Sequence, residues 1–175
     1  MTTVEYAPAK ESIRLVRGGL SYAERCEPAF SKARTTNKSV AQANGIRYER
    51  KVHRALAVLA KYVGAVVEHN PWFKFVDING IGICSPDAIL WMEPALALVI
   101  EIKYTWIPTA GVKLRGLYIP VVNAALKPAI LRSLIICKNL TPQSPQPIES
   151  ICEGTQFSVN NSPVYQWLGQ GPLIW

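Results

Sequence analysis

The stretch Leu96–Tyr104, Leu-Ala-Leu-Val-Ile-Glu-Ile-Lys-Tyr, constrains this chain more than any other. It is a nearly continuous apolar run, as expected of a central strand covered on both faces. Such a strand needs neighbouring strands and covering layers, which puts the chain in an α/β or α+β class with a mixed sheet flanked by helices. Side chains alternate along a strand, so Glu101 and Lys103 project from one side while Ile102 enters the core on the other. A carboxylate and an ammonium in so apolar a run are costly to bury and demand a local reason.

The flanking sequence supplies the other elements. Asn44-Gly45 opens a helix expected over Ile46–Val63, whose apolar positions Val52, Leu56, Leu59 and Val63 form one stripe, with Gly64 placed to end it. Strands are expected at Ala65–His69 and Trp72–Val76, and the turn signal Asp77-Ile78-Asn79-Gly80 makes a hairpin into a strand over Ile81–Leu90. Met92-Glu93-Pro94 connects that strand to the Leu96 run. Residues 111–127 read as helical with a kink or late start at Pro120, and Ala129–Cys137 as a further strand. Thr141–Pro147 is a proline-rich loop, and the tail carries β-prone fragments at Gln156–Val159 and Val164–Leu168. At 175 residues the chain suits one domain. Its expected parts are a basic N-terminal arm over 1–43, in which Ile13–Gly19 and Ala29–Lys38 read as short helices or as extended arm, a core over 44–138, and a C-terminal extension over 139–175.

Charge narrows the partners. The net charge is +7, and residues 1–54 hold 11 Lys/Arg against 5 acids, while 104–148 holds five Lys/Arg and no acid. Asp87, Glu93 and Glu101 lie between these basic stretches, an order suited to a polyanionic partner. Cys26, Cys84, Cys137 and Cys152 form no C-x-x-C pair, which argues against zinc and for reduced, structural thiols in the cytoplasm. Glu5, Lys10 and Glu11 interrupt any signal-peptide pattern, and Pro120, Lys127, Pro128 and Arg132 break the most hydrophobic region, so no membrane partner is expected.

Phosphodiester hydrolysis gives the buried charges a reason. Asp87, in Pro86-Asp87, precedes Glu101 with 13 residues between. Two carboxylates can hold Mg²⁺ through oxygen and leave positions for water and phosphate. Lys103 can orient or help deprotonate the water, or neutralise developing charge. Against this stands the solvent-facing Glu-x-Lys pair common on amphipathic sheets, which the apolar strand disfavours.

Pro86-Asp87…Glu101-Ile102-Lys103 resembles the signature of the PD-(D/E)xK nucleases, which include restriction enzymes, junction resolvases, lambda-type exonucleases and RecB-like nucleases. Gly45-Ile-Arg-Tyr-Glu49 is similar to the pattern that places a glutamate on the first core helix of many members. The resemblance, over about 44–138, implies a restriction-endonuclease-like core and a DNA nuclease of the compact type found in phages. Asp87, Glu101 and Glu49 would hold Mg²⁺, with Mn²⁺ as substitute, and Lys103 would complete the catalytic set. Lys113-Leu-Arg-Gly-Leu-Tyr118 keeps the tyrosine of a RecB-like Gln-x-x-x-Tyr motif but has Leu114 in the glutamine position. Lys113, Arg115, Tyr118 and His53 are the expected DNA contacts, weighed against a solvated helix face for the first two, a core ring for Tyr118 and a polar edge residue for His53. The resemblance leaves open exonuclease or junction-resolving endonuclease, and with it a homo-oligomer, since the exonucleases form rings and the resolvases dimers. A DNA-binding protein of the same fold without catalysis is the alternative.

Overall fold

A computed structural model describes residues 14–28, 39–93, 95–150 and 162–173. The segment Ala29–Lys38, the fragment Gln156–Val159 and Cys152 lie outside them. The architecture is mixed α and β: two sheets, one long helix and a second, interrupted helical segment. No helix among the described residues is long and apolar enough to cross a membrane.

The larger sheet has the order β2 (Val66–His69), β5 (Ala88–Glu93), β6 (Leu96–Thr105), β7 (Ile130–Asn139), β8 (Val164–Gln166). The first three strands run antiparallel and the last three parallel, so β6 is the centre of a mixed sheet. The tail fragment at Val164 is thus an edge strand. The smaller sheet joins β1 (Leu20–Arg25), β3 (Phe73–Asp77) and β4 (Gly80–Cys84). Residues 14–19, open between a short helix and an arm, are not helical, and the strand that follows them pairs with β3.

The apolar run Ile81–Leu90 is two strands rather than one. Ser85-Pro86-Asp87 separates them, and β4 stays in the small sheet while β5 crosses to the large one. Proline cannot donate to a ladder, so pairing stops there. Gly82 is required in β4 because a Cβ would stand 2.3 Å from Cζ of Phe75, which is fully buried beneath it.

Helix α1 spans Val40–Val63, six residues longer at its start than the Asn-Gly signal suggests. Ser39 caps it: its hydroxyl accepts the Gln42 N–H (3.2 Å) and the Gln42 side chain accepts the Ser39 N–H (3.0 Å). Gly64 ends it in the left-handed region, φ 72°. Its stripe of Tyr48, Val52, Leu56 and Leu59 is buried against Leu98, Ile100 and Ile102 of β6 and their neighbours Ala88, Leu90, Leu134 and Ile136. The opposite face of the sheet presents Ile89, Ala97, Val99, Ile135 and Cys137 to the helical segment and to Phe73 and Phe75.

That helical segment comprises α2 (Pro108–Lys113), a π-helical turn (Leu114–Tyr118) and α3 (Ile119–Leu126). Pro120 has no N–H for the Gly116 carbonyl, and a proline ring crowds the carbonyl four residues back. The helix widens to meet both problems: the Ile119 N–H reaches Leu114 O, and the Gly116 carbonyl instead accepts the Val16 N–H at 2.8 Å. Leu15 packs over Gly116, where a Cβ would come within 3.0 Å of its side chain.

Candidate active site

The site forms where β6 outruns its antiparallel partner. The β5–β6 ladder ends at Ala88↔Ile100, and the N–H of Ile102 beyond it is taken by the Asp87 carboxylate, Oδ2 at 2.6 Å. Asp87 is thereby fixed against the residue between Glu101 and Lys103. Its own carbonyl accepts the Asn70 N–H at 3.0 Å and lies 3.0 Å from His53 Nε2. His53 in turn packs on His69, ring centroids 4.5 Å apart. Thus His53 braces the Asp87 turn.

Strand alternation places Glu101 and Lys103 on the face opposite α1. Glu101 has no exposed surface, and its Oε1 is 2.6 Å from Lys103 Nζ and 3.5 Å from Lys113 Nζ. Both lysines touch the same oxygen by charge; Glu101 Oε2, equally buried, meets no hydrogen-bond donor. Burial raises the Glu101 pKa above its ordinary value, and the nearby charge of Asp87 raises it further against the pull of the two lysines. Asp87 is raised as well, first by burial and then by Glu49, opposed by Lys103, the Ile102 N–H and Lys113. Burial would lower Lys103, but Glu101, Asp87 and Glu49 together hold it above its ordinary value. Lys103 is therefore a cation at neutral pH.

Two clefts flank this point. One of about 760 Å³ is lined by Glu101, Lys103, Lys113, Thr109 and Arg14. The other, about 380 Å³, is lined by Glu49, Gln42, Ile46, Lys103 and Tyr104. Lys103 borders both. Glu49 rises from α1 and shares the second cleft with Lys103, and its charge acts on both Asp87 and Lys103. Among the described residues, no group of three or more His, Cys, Asp or Glu stands close enough to share one metal ion. Asp87 and Glu101 remain as a pair whose charges interact. A pair fits Mg²⁺, which typically takes one or two carboxylates and fills its octahedron with water and substrate phosphates. The unpartnered Glu101 Oε2 is the kind of ligand atom such an ion would satisfy.

The expected DNA contacts divide. Lys113 is half-buried at the first cleft, and Arg115 is exposed on the π-helical turn. Tyr118 is 1% exposed, with Lys113 Nζ 4.8 Å from its ring centroid; its ring is a core ring, not a surface for a nucleic acid. Burial and the charges of Glu101 and Asp87 push its hydroxyl far above the ordinary tyrosine range. Trp106, 8% exposed, is likewise core. Cys84 and Cys137 are buried thiols, raised by burial to about 12 and about 11.

Arg14 is a cleft residue that sequence patterns do not reveal. Its guanidinium donates to Asp77 Oδ1 (3.0 Å) and to the carbonyls of Gly80 (2.8 Å) and Ile81, and stands 5.1 Å from the Phe75 ring centroid. It reaches Asp77 across 63 positions of sequence, so no local spacing signals it. Comparison with family models, curated proteins and solved structures finds no match to this chain, so the reading of the site rests on its own chemistry.

Proposed function

We propose that the chain is a metal-dependent DNA nuclease with a restriction-endonuclease-like core, hydrolysing phosphodiester bonds at the Asp87–Glu101–Lys103 site. The observation that carries this is Glu101: fully buried, beside a second carboxylate, with one oxygen unpartnered. Leaving a buried carboxylate oxygen unsatisfied costs about 1–3 kcal/mol or more, a penalty that a purely structural site would avoid. Asp87 and Glu101 would hold Mg²⁺ or Mn²⁺, with Glu49 adding negative charge. The ion would supply Lewis-acid stabilisation of phosphoryl oxygens and a lowered pKa for water.

The protein's own groups have distinct tasks. The Ile102 N–H fixes Asp87, and His53 braces the turn that carries it. Lys103, whose pKa its acidic neighbours raise, would stabilise negative charge on the phosphate and orient or help deprotonate the water. Lys113 and Arg115 offer charge to the flanking backbone.

A second reading, a DNA-binding protein without catalysis, is favoured by one observation: Lys103 already neutralises Glu101 at 2.6 Å. Purified protein would be incubated with linear duplex, single-stranded, circular and four-way-junction DNA in Mg²⁺, Mn²⁺ or EDTA, alongside Lys103→Ala. Metal-dependent cleavage lost in the variant is the expected result, and the substrate cut fastest separates exonuclease from junction-resolving endonuclease. Binding without cleavage in every condition would overturn the nuclease and leave the binder.

A further inference from the structure

A third depression lies away from the carboxylates. It is about 170 Å³ and is lined by Asn44, Arg47, Tyr48 and Lys51 of α1, Tyr104 at the end of β6, Lys138 at the end of β7, and Leu168–Gly169. Lys103 lines the first and second clefts, and Tyr104 lines the second and third. The helix stands between the second and the third: 42, 45, 46 and 49 line one, and 44, 47, 48 and 51, two residues on and so about 200° around, line the other on its opposite flank.

The third pocket has three cations and no acid among its lining residues. Arg47 and Lys51 are exposed on α1, and Lys138 arrives from a different element, with Nζ 5.2 Å from the Tyr104 ring centroid. Tyr104 is itself held edge-on by Tyr48, centroids 6.0 Å apart, and the Tyr48 hydroxyl donates to the Trp167 carbonyl at 2.8 Å. The parallel β6–β7 register sets Lys138 beside Tyr104, on the sheet face that α1 covers. Like charges converging from two elements leave a site that an anion completes.

We infer that Arg47, Lys51 and Lys138 bind the phosphate backbone of the substrate strand on one side of the Lys103 site. The position rests on this geometry; the ligand class rests on the nucleic-acid reading above. The pocket's size suits a phosphate group rather than a base pair.

The test is binding of fluorescently labelled single-stranded and duplex oligonucleotides by the full chain in EDTA, over a range of salt. It compares Arg47→Gln/Lys51→Gln/Lys138→Gln with a charge-matched control, Arg54→Gln/Lys61→Gln/Lys127→Gln, both checked for native circular dichroism. Each phosphate contact contributes roughly 0.7–0.9 to the log–log salt slope, so the pocket variant should lose about two to three from it and the control almost nothing. The arm with the larger loss identifies single strand or duplex as the ligand. If the triple variant fails to fold, Arg47→Gln alone should still lower the slope by close to one. An unchanged slope, an equal loss in the control, or no binding by the wild type would overturn the inference. A slope loss in a protein that cleaves nothing would sink the nuclease reading while leaving this pocket standing.

Discussion

Asp77 and Glu101 are both acids with fully covered side chains, and the protein treats them in opposite ways. Asp77 closes the β3–β4 turn and is saturated: Oδ1 accepts the Asn79 N–H (2.8 Å) and Arg14 (3.0 Å), and Oδ2 the Arg17 N–H (3.1 Å). Burial would raise its pKa, but these donors and the Arg14 charge hold it below its ordinary value. Glu101 has two ammonium groups at one oxygen, nothing at the other, and a raised pKa. The same chain that supplies three donors to a turn acid leaves its central-strand acid short. That contrast separates an acid kept for architecture from one kept for chemistry.

The sharpest way to break the contrast is to neutralise each acid. Glu101→Gln should lower metal-dependent cleavage by about 10²–10³-fold or more, the scale of losing a charge-stabilising group in a water-poor site. Its melting temperature should stay level or rise, since an unsatisfied buried charge has been removed. A large fall in melting temperature would show that Glu101 is structural and erase the distinction. Gly82→Ala, in the sheet that Asp77 closes, should lose about 1–3 kcal/mol by forcing Phe75 aside, read as a shift in denaturant midpoint. Phe75 also lines the first cleft beneath Arg14, so cleavage per folded molecule should fall far less than in Glu101→Gln, and an equal loss would tie the small sheet to the chemistry.

Acid titration should resolve the two acids by sign. Asp77 is depressed, so its stabilisation is present above its ordinary 3.8 and is lost as pH falls through its lowered value. Glu101 and Asp87 are raised, so their contribution is present below their ordinary 4.5 and 3.8 and is lost as pH rises through their elevated values. Asp77→Asn should flatten the acid limb of a stability-versus-pH curve, and Glu101→Gln should flatten the loss on the rising side. Identical curves for the two variants would contradict the assignment. The smallest shift expected is in the titration of Glu101 in Lys103→Met, read by carboxyl NMR: without its main opposing cation Glu101 should titrate higher still, and an unmoved Glu101 would contradict the pairing.

Local patterns carried most of the fold. The β6 strand, the end of α1 at Gly64 and the Asp77–Gly80 turn were legible because each depends on a few adjacent residues. The split at Ser85-Pro86-Asp87 was harder, since apolar residues continue through both strands and only the proline marks the change of sheet. Ser39…Gln42 carries a capping-box pattern that the louder Asn44-Gly45 obscured. In the site, alternation alone puts Glu101 and Lys103 on one side, and Pro-Asp signals Asp87. Glu49 was signalled only by its place near the start of the helix, and its neighbourhood with Lys103 depends on how α1 packs on the sheet. Arg14 and the Lys138 pocket depend on contacts between distant parts of the chain, which no local spacing records.

The Val16–Gly116 hydrogen bond joins residues one hundred positions apart and has a bearing on how the protein is made. On a ribosome, β3 and β4 emerge well before residue 116, so β1 can find its sheet early. The Leu15–Val16 segment, however, has no dock until the π-helical turn exists. Arg14, next to it, forms part of the wall of the first cleft. Arg14 can therefore dock early on the β3–β4 turn, while the Val16 end of the same segment is fastened only after more than a hundred residues have been synthesised.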